Sequence, residues 1–150
     1  VTATIRRATL DEILALRHAE LRPGLPLATA RFDGDDAPDT WHVGAFEDGV
    51  AVACASFMRQ PWEGAEAYQL RGMATRADRR RRGLGAALLR FAEATIPDAT
   101  GIRLFWCNAR VAAIDFYRSC GWTVESDVFE VPTVGPHRRM RRVASPGTTV

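Results

Sequence analysis

No lysine occurs anywhere in the 150 residues; all 20 basic side chains are arginine. That absence excludes a Schiff-base mechanism and any phosphate loop built on Gly-Lys-Ser/Thr. Cysteine is scarce too. Cys54, Cys107 and Cys120 form no CxxC pair, are odd in number and sit in apolar segments. They read as buried free thiols rather than as a disulfide framework or redox motif. The histidines, His18, His42 and His137, are too scattered for a metal site. No apolar run approaches the roughly 18 residues of a membrane span, and "VTATIRRATLDE" lacks the apolar core of a secretory signal. These two absences favour the cytoplasm as the expected location. Net charge is only +2, so the protein as a whole is no polyelectrolyte binder.

What is present is globular in composition, with 47% hydrophobic and 25% charged residues and the length of one ordinary domain. "TATIRRAT" reads as a first strand. Thr9 and Glu12 form a capping box ahead of a helix whose stripe is Leu10, Ile13, Leu14, Arg17 and Leu21, ending before Pro23-Gly24. Residues 22–40 are a long loop, with or without a helical turn, and loops this long are often functional. "WHVGAFEDGVAVACASFM" is a hairpin about Asp48-Gly49. "YQLRGMAT" is a strand, "GLGAALLRFAEAT" a helix closed by Pro97, and "GIRLFWC" a strand. "VAAIDFYRSC" is a helix capped by Gly121, and "WTVESDVFEV" a strand. After the "PTVGP" turn comes a last strand, "HRRMRRV". The order predicts an α/β (α+β) domain over residues 1–143, with residues 144–150 as a flexible tail. A mixed, mostly antiparallel sheet has helices on its faces.

One junction stands out: "RRRRGLGAALL", Arg79 to Leu89, between a strand and a helix. The first amides of a helix lack internal partners, the macrodipole adds positive charge there, and glycine lets backbone approach a ligand. Arg81 through Ala86 can therefore direct several N–H groups at a diphosphate. Alone this is weak, because a basic turn is more often merely solvated. About 25 residues on comes "LFWCNARVAAIDFYRSCGW", a strand, an Asn-containing turn, and a helix carrying Ala113 and Tyr117 before Gly121-Trp122.

The two segments, in this order and spacing, resemble the GNAT superfamily of N-acetyltransferases, and the closing "VGPHRRM" resembles an ending of some bacterial members. The resemblance implies a sheet of about six to seven strands and about four helices, splayed between the fourth and fifth strands. It implies acetyl-coenzyme A as co-substrate, no metal, and acetyl transfer to an amine by direct attack in a ternary complex. By that resemblance Arg80, Arg81, Arg82, Gly83, Leu84, Gly85 and Ala86 hold the diphosphate, and Met73, Ala74 and Thr75 hold the pantetheine arm.

Tyr117 matches the family's general acid, against the alternative of a core aromatic. Glu66, with Glu63 beside it, is a candidate base. His137 is a second candidate, or a substrate contact. Asn108 lies two residues before the family's asparagine position, which is Arg110 here; Arg110 binds cofactor phosphate or a surface carboxylate. Arg81 replaces a frequent glycine. The acceptor is a small-molecule amine or a peptide N-terminus, drawn by Asp33, Asp35, Asp36 and Asp39 if those carboxylates do more than solvate a loop. A homodimer fits the family. The competing readings are an acyl-coenzyme A-binding domain without turnover and an arginine-rich nucleic-acid module; the small net charge weighs against the latter.

Overall fold

The first strand forms at Thr4–Ala8 (β1) and runs into the expected cap. Thr9 Oγ1 accepts from the Glu12 amide at 3.3 Å, and Glu12 Oε1 accepts from the Thr9 amide at 3.0 Å. Both first-turn donors are thus satisfied and helix α1 extends over Leu10–Leu21. In the computed structural model, which describes residues 2–146, the following loop holds a 3-10 turn at Leu27–Ala30. Strands β2 (Trp41–Glu47) and β3 (Val50–Arg59) form the hairpin. Asp48 and Gly49 turn it at φ 50° and 78°, the left-handed pair that matches strand twist. β4 spans Tyr68–Thr75, α2 Leu84–Thr100 and β5 Leu104–Arg110. A 3-10 turn at Val111–Ala113 leads into α3 (Ile114–Ser119). β6 (Thr123–Val124), β7 (Phe129–Val131) and β8 (Gly135–Val143) complete the described elements.

All eight strands lie in one sheet, ordered β1-β2-β3-β4-β5-β8-β6, with β7 also on β8. Every pairing is antiparallel except β4 with β5. Side chains alternate across β3 with period two. Ala53, Ala55 and Phe57 join the cluster built on Leu88, Leu89, Ala92 and Ile96 of α2. Cys54 turns the other way and packs with Ile13 and Leu16 of α1. The two long helices therefore cover opposite faces.

The parallel pair barely exists. β4 and β5 are in register only at Tyr68 with Phe105 and Gln69 with Trp106, and beyond that they part. At the parting β4 carries a bulge: Cys54 pairs with Ala74 and Ser56 with Arg71, three β4 steps against two in β3. Leu70 packs on the α2 side and Ala74 on the α1 side, although two residues of equal parity should share a face. The extra residue has swapped them. Gly72 sits in this bulge at φ 66°, and a Cβ there would lie 2.9 Å from Phe32 and 3.0 Å from Arg17 Nε.

Four expectations need correction. Among the described residues there are three α-helices, not about four, and eight strands. Pro97 does not end α2. The helix runs one turn further, to Gly101 at φ 77°, because Ile96 and Ile102 are buried on either side and anchor that turn. The strand expected over "WTVESDVFEV" is two short pieces, both paired to β8. The tail does not begin at 144: Ala144 is 1% exposed, and its amide and carbonyl both bond Arg103. Residues 147–150 of that expected tail lie outside the described residues.

Candidate active site

Where the opening turn ends, Gly83 stands at φ 75° as the N-cap of α2, with no side chain capping it. The first helical bond is the Ala87 amide to the Gly83 carbonyl, 3.0 Å. The amides of Leu84, Gly85 and Ala86 precede it, so the helix leaves them for a ligand. Arg81 is left-handed as well, at φ 63°, which is why a glycine suits that place. Gly85 is needed for room: a Cβ would lie 3.0 Å from the Phe116 ring and 3.9 Å from Met73 Sδ.

These residues line a cavity of about 750 Å³. Met73, Ala74, Thr75, Arg80, Arg81, Gly83, Leu84, Gly85, Ala86, Arg110 and Tyr117 all border it, together with Ala113 and Phe116. Arg82 does not; it is exposed just outside. Arg79 is spent on Glu47, at 2.8 Å, and Arg80 on Glu20, at 2.7 Å. Arg81 and Arg82 have no carboxylate within 4.0 Å among the described residues, so they remain the loop's unpaired charge.

Tyr117 is placed by a helix end. Gly121 at φ 88° caps α3, and the Trp122 amide bonds back to the Tyr117 carbonyl at 3.0 Å. This tucks the Trp122 ring beneath Tyr117, centroids 5.4 Å apart. A Cβ at Gly121 would lie 2.6 Å from Arg142 Nη1. The spacing from tyrosine to Gly-Trp is thus a packing device that holds the phenol still. Tyr117 is 7% exposed, and among the described residues its hydroxyl donates only to Met73 Sδ, at 3.8 Å, a weak acceptor. Burial, and then the neighbouring Cys107 and Cys120, pushes its pKa well above the ordinary phenol value. It stays protonated, as a donor must.

A second cavity, of about 380 Å³, meets the first. Leu21, Met73, Arg110, Ala113 and Tyr117 line both. Asn108 and His137 border only this smaller one, which also takes in Arg22, Phe32, Gln69 and Arg71. His137 is 6% exposed, and its ring stacks on Phe129 with centroids 6.1 Å apart. Its Nδ1 lies 2.8 Å from the Gly135 carbonyl. A carbonyl only accepts, so Nδ1 carries the hydrogen and the neutral ring keeps its lone pair on Nε2. Glu66 is not brought here: it is exposed, ion-paired with Arg59, and borders neither cavity. Glu63 serves a tight turn at φ 47°.

Sequence reasoning missed a buried network beneath the second cavity. Arg17, read as one residue of an apolar stripe, is fully buried. It donates to both Asp35 oxygens at 2.8 and 3.1 Å, to Ser56 Oγ at 2.7 Å and to the Ala30 carbonyl at 3.0 Å. His42 joins it through Ser56 Oγ, 2.7 Å, and the Asp35 carbonyl, 3.0 Å. Desolvation raises the Asp35 pKa, but hydrogen bonds from Arg17 and the Phe32 amide outweigh it and the net shift is downward. The only advance signal was a charge at an inward helical position. The Gly72 bulge had a signal too, a glycine inside a strand.

The acetyltransferase (GNAT) family model matches residues 8–122. YitI of Bacillus subtilis (strain 168), an uncharacterized N-acetyltransferase, is 32% identical over 136 residues, covering 89% of this chain and 91% of YitI. Escherichia coli ElaA superposes with a TM-score of 0.78 at 19% identity, covering 93% of this chain and 99% of that one. An aminoglycoside 6'-N-acetyltransferase complexed with coenzyme A gives 0.76 at 14% identity, covering 97% and 99%.

Proposed function

The chain belongs to the acetyltransferase (GNAT) family, and from that premise we propose that it moves an acetyl group from acetyl-coenzyme A to the primary amine of a small acceptor, by direct attack with both bound. The expected domain of residues 1–143, extended by the packed Ala144, acts as one unit in this reading. The observation that carries it is the shared wall. Tyr117 borders both the large cavity beside the uncapped end of α2 and the smaller one beside His137.

The residues fit the donor. The amides of Leu84, Gly85 and Ala86, with Arg81, hold the diphosphate at the helix end. Backbone groups of Met73, Ala74 and Thr75 on the parted edge of β4 fix the extended arm. That a protein of similar fold was captured with coenzyme A supports coenzyme A as the donor's carrier. Bound there, acetyl-coenzyme A supplies an activated thioester. The Met73 amide donates to its carbonyl oxygen. His137 Nε2 accepts the proton of the attacking amine, the role for which Glu66 stands too far out in solvent. Tyr117 gives its proton to the departing sulfur. Burial raises both the phenol and a thiol, so the two remain matched.

Thiol release across an amine panel tests this. Tyr117→Phe should lower kcat by about 10²-fold or more while acetyl-coenzyme A affinity by calorimetry stays within about twofold. An absence of heat on titrating acetyl-coenzyme A into the wild type overturns the reading.

A further inference from the structure

The smaller cavity has the wrong charge for a polycation. Arg22, Arg71, Arg110 and His137 line it, with Gln69 and Asn108, and among the described residues no carboxylate does. The acidic loop points elsewhere. Asp35 is bound to Arg17, Asp36 lies 3.7 Å from Arg31, and Asp33 and Asp39 border a neighbouring hollow that shares Gln69 and Arg71 with this cavity but opens on the far side of Arg71.

Arg71 is the telling residue. It is half-buried, and desolvation lowers its pKa. A guanidinium carries five N–H donors, yet among the described residues its only hydrogen-bond partner is a thioether, Met58 Sδ at 3.9 Å. Its ring contact is Phe32, with Cζ 4.7 Å from the centroid. Arg17 and Arg22 crowd the same ring, at 4.2 and 5.9 Å. Among the described residues, only Arg17 of these three cations has a carboxylate within 4.0 Å. A partly desolvated fork with unused donors, next to a second unpaired cation, is built for a planar anion.

Resting on the acetyl-transfer reading, we propose that the acceptor is a small amine that carries its own carboxylate, held by Arg71 and Arg22 so that its amine faces His137 and Tyr117. A volume near 380 Å³ suits an amino acid or a compact derivative. The carboxylate is recognised by paired N–H donors, and Phe32 keeps Arg71 in place. No bond to the carboxylate forms or breaks; the group serves for orientation.

The test is thiol release with acetyl-coenzyme A from the proteinogenic amino acids, beta-alanine and gamma-aminobutyrate, each against its carboxamide, with rates referred to the free-base amine. Phosphoethanolamine is the phosphate arm. The best acid should exceed its amide at least tenfold in kcat/KM. Arg71→Gln, and separately Arg22→Gln, should raise KM for the acid about tenfold or more, with KM for the amide and for acetyl-coenzyme A little changed. Amides equal to or better than acids, or both losing equally in Arg71→Gln, overturn the inference and leave acetyl transfer standing. Phosphoethanolamine outperforming every carboxylate also overturns it and assigns the arginines to a phosphate. Thiol release from no amine at all, despite bound acetyl-coenzyme A, overturns the acetyl-transfer reading itself.

Discussion

Two glycines and one charge show how far a single residue determines the site. Gly72 is needed for two reasons, a left-handed φ of 66° and the space taken by Phe32 and Arg17. Left-handed strain of roughly 1–2 kcal/mol and overpacking of roughly 1–3 predict that Gly72→Ala loses about 2–5 kcal/mol, read by urea denaturation. Gly85→Ala should behave differently. Its φ is helical and alanine is the better helix former, but the Phe116 ring lies only 3.0 Å from the new Cβ. Stability should hold while acetyl-coenzyme A affinity falls several-fold, read by calorimetry. Asp35 carries the charge argument. Removing one partner of a buried ion pair strands the other, so Asp35→Ala should cost about 3–5 kcal/mol in the same denaturation assay. The glycines of the loop and Tyr117 were legible because their requirements are local: a positive φ, a free amide, a helix face. Arg17, Arg71 and Phe32 were not, since their meaning comes from partners across the fold.

Elements were read well where periodicity and caps agree, and poorly where they compete. The α1 cap formed as written. Glu12 is held down to about 2 by the hydrogen bond from Arg6 and then by the Thr9 amide. Its pKa is depressed in the folded state, so the stabilisation is complete above the ordinary value near 4.5 and disappears as pH falls toward 2. Acid titration of Arg6→Gln should show a flatter loss over that window than wild type, whereas Thr9→Ala, which keeps the Thr9 amide, should mainly lose the roughly 1 kcal/mol of a cap at neutral pH. Pro97 failed as a stop signal because buried neighbours outweighed it. The β6–β7 stretch failed as one strand because alternation alone does not fix where pairing to β8 lapses.

At the scale of the molecule the sheet does one thing at its middle: it opens. The mostly antiparallel pairing followed from strand and helix order, and the parted β4–β5 edge from the family resemblance. The sign of charge in the acceptor cavity did not. The sequence puts four aspartates in the neighbouring loop, and only the packing shows one of them spent on Arg17 and the rest outside. The arginine-rich mouth of the large cavity sets a further expectation. Coulombic contributions at an open, partly solvated site are screened by salt. Acetyl-coenzyme A affinity should therefore fall several-fold between low and physiological ionic strength, and less steeply in Arg81→Gln than in the wild type.

The extra residue in β4 constrains how this gene can change length. Upstream of it odd-numbered Arg71 looks toward the acceptor, and downstream odd-numbered Met73 looks toward Tyr117. An in-frame deletion of one codon here would tidy the ladder and remove the bend by which β4 leaves β5 to edge both cavities. Surface loops can gain or lose codons freely; this strand is a ruler whose count must be kept.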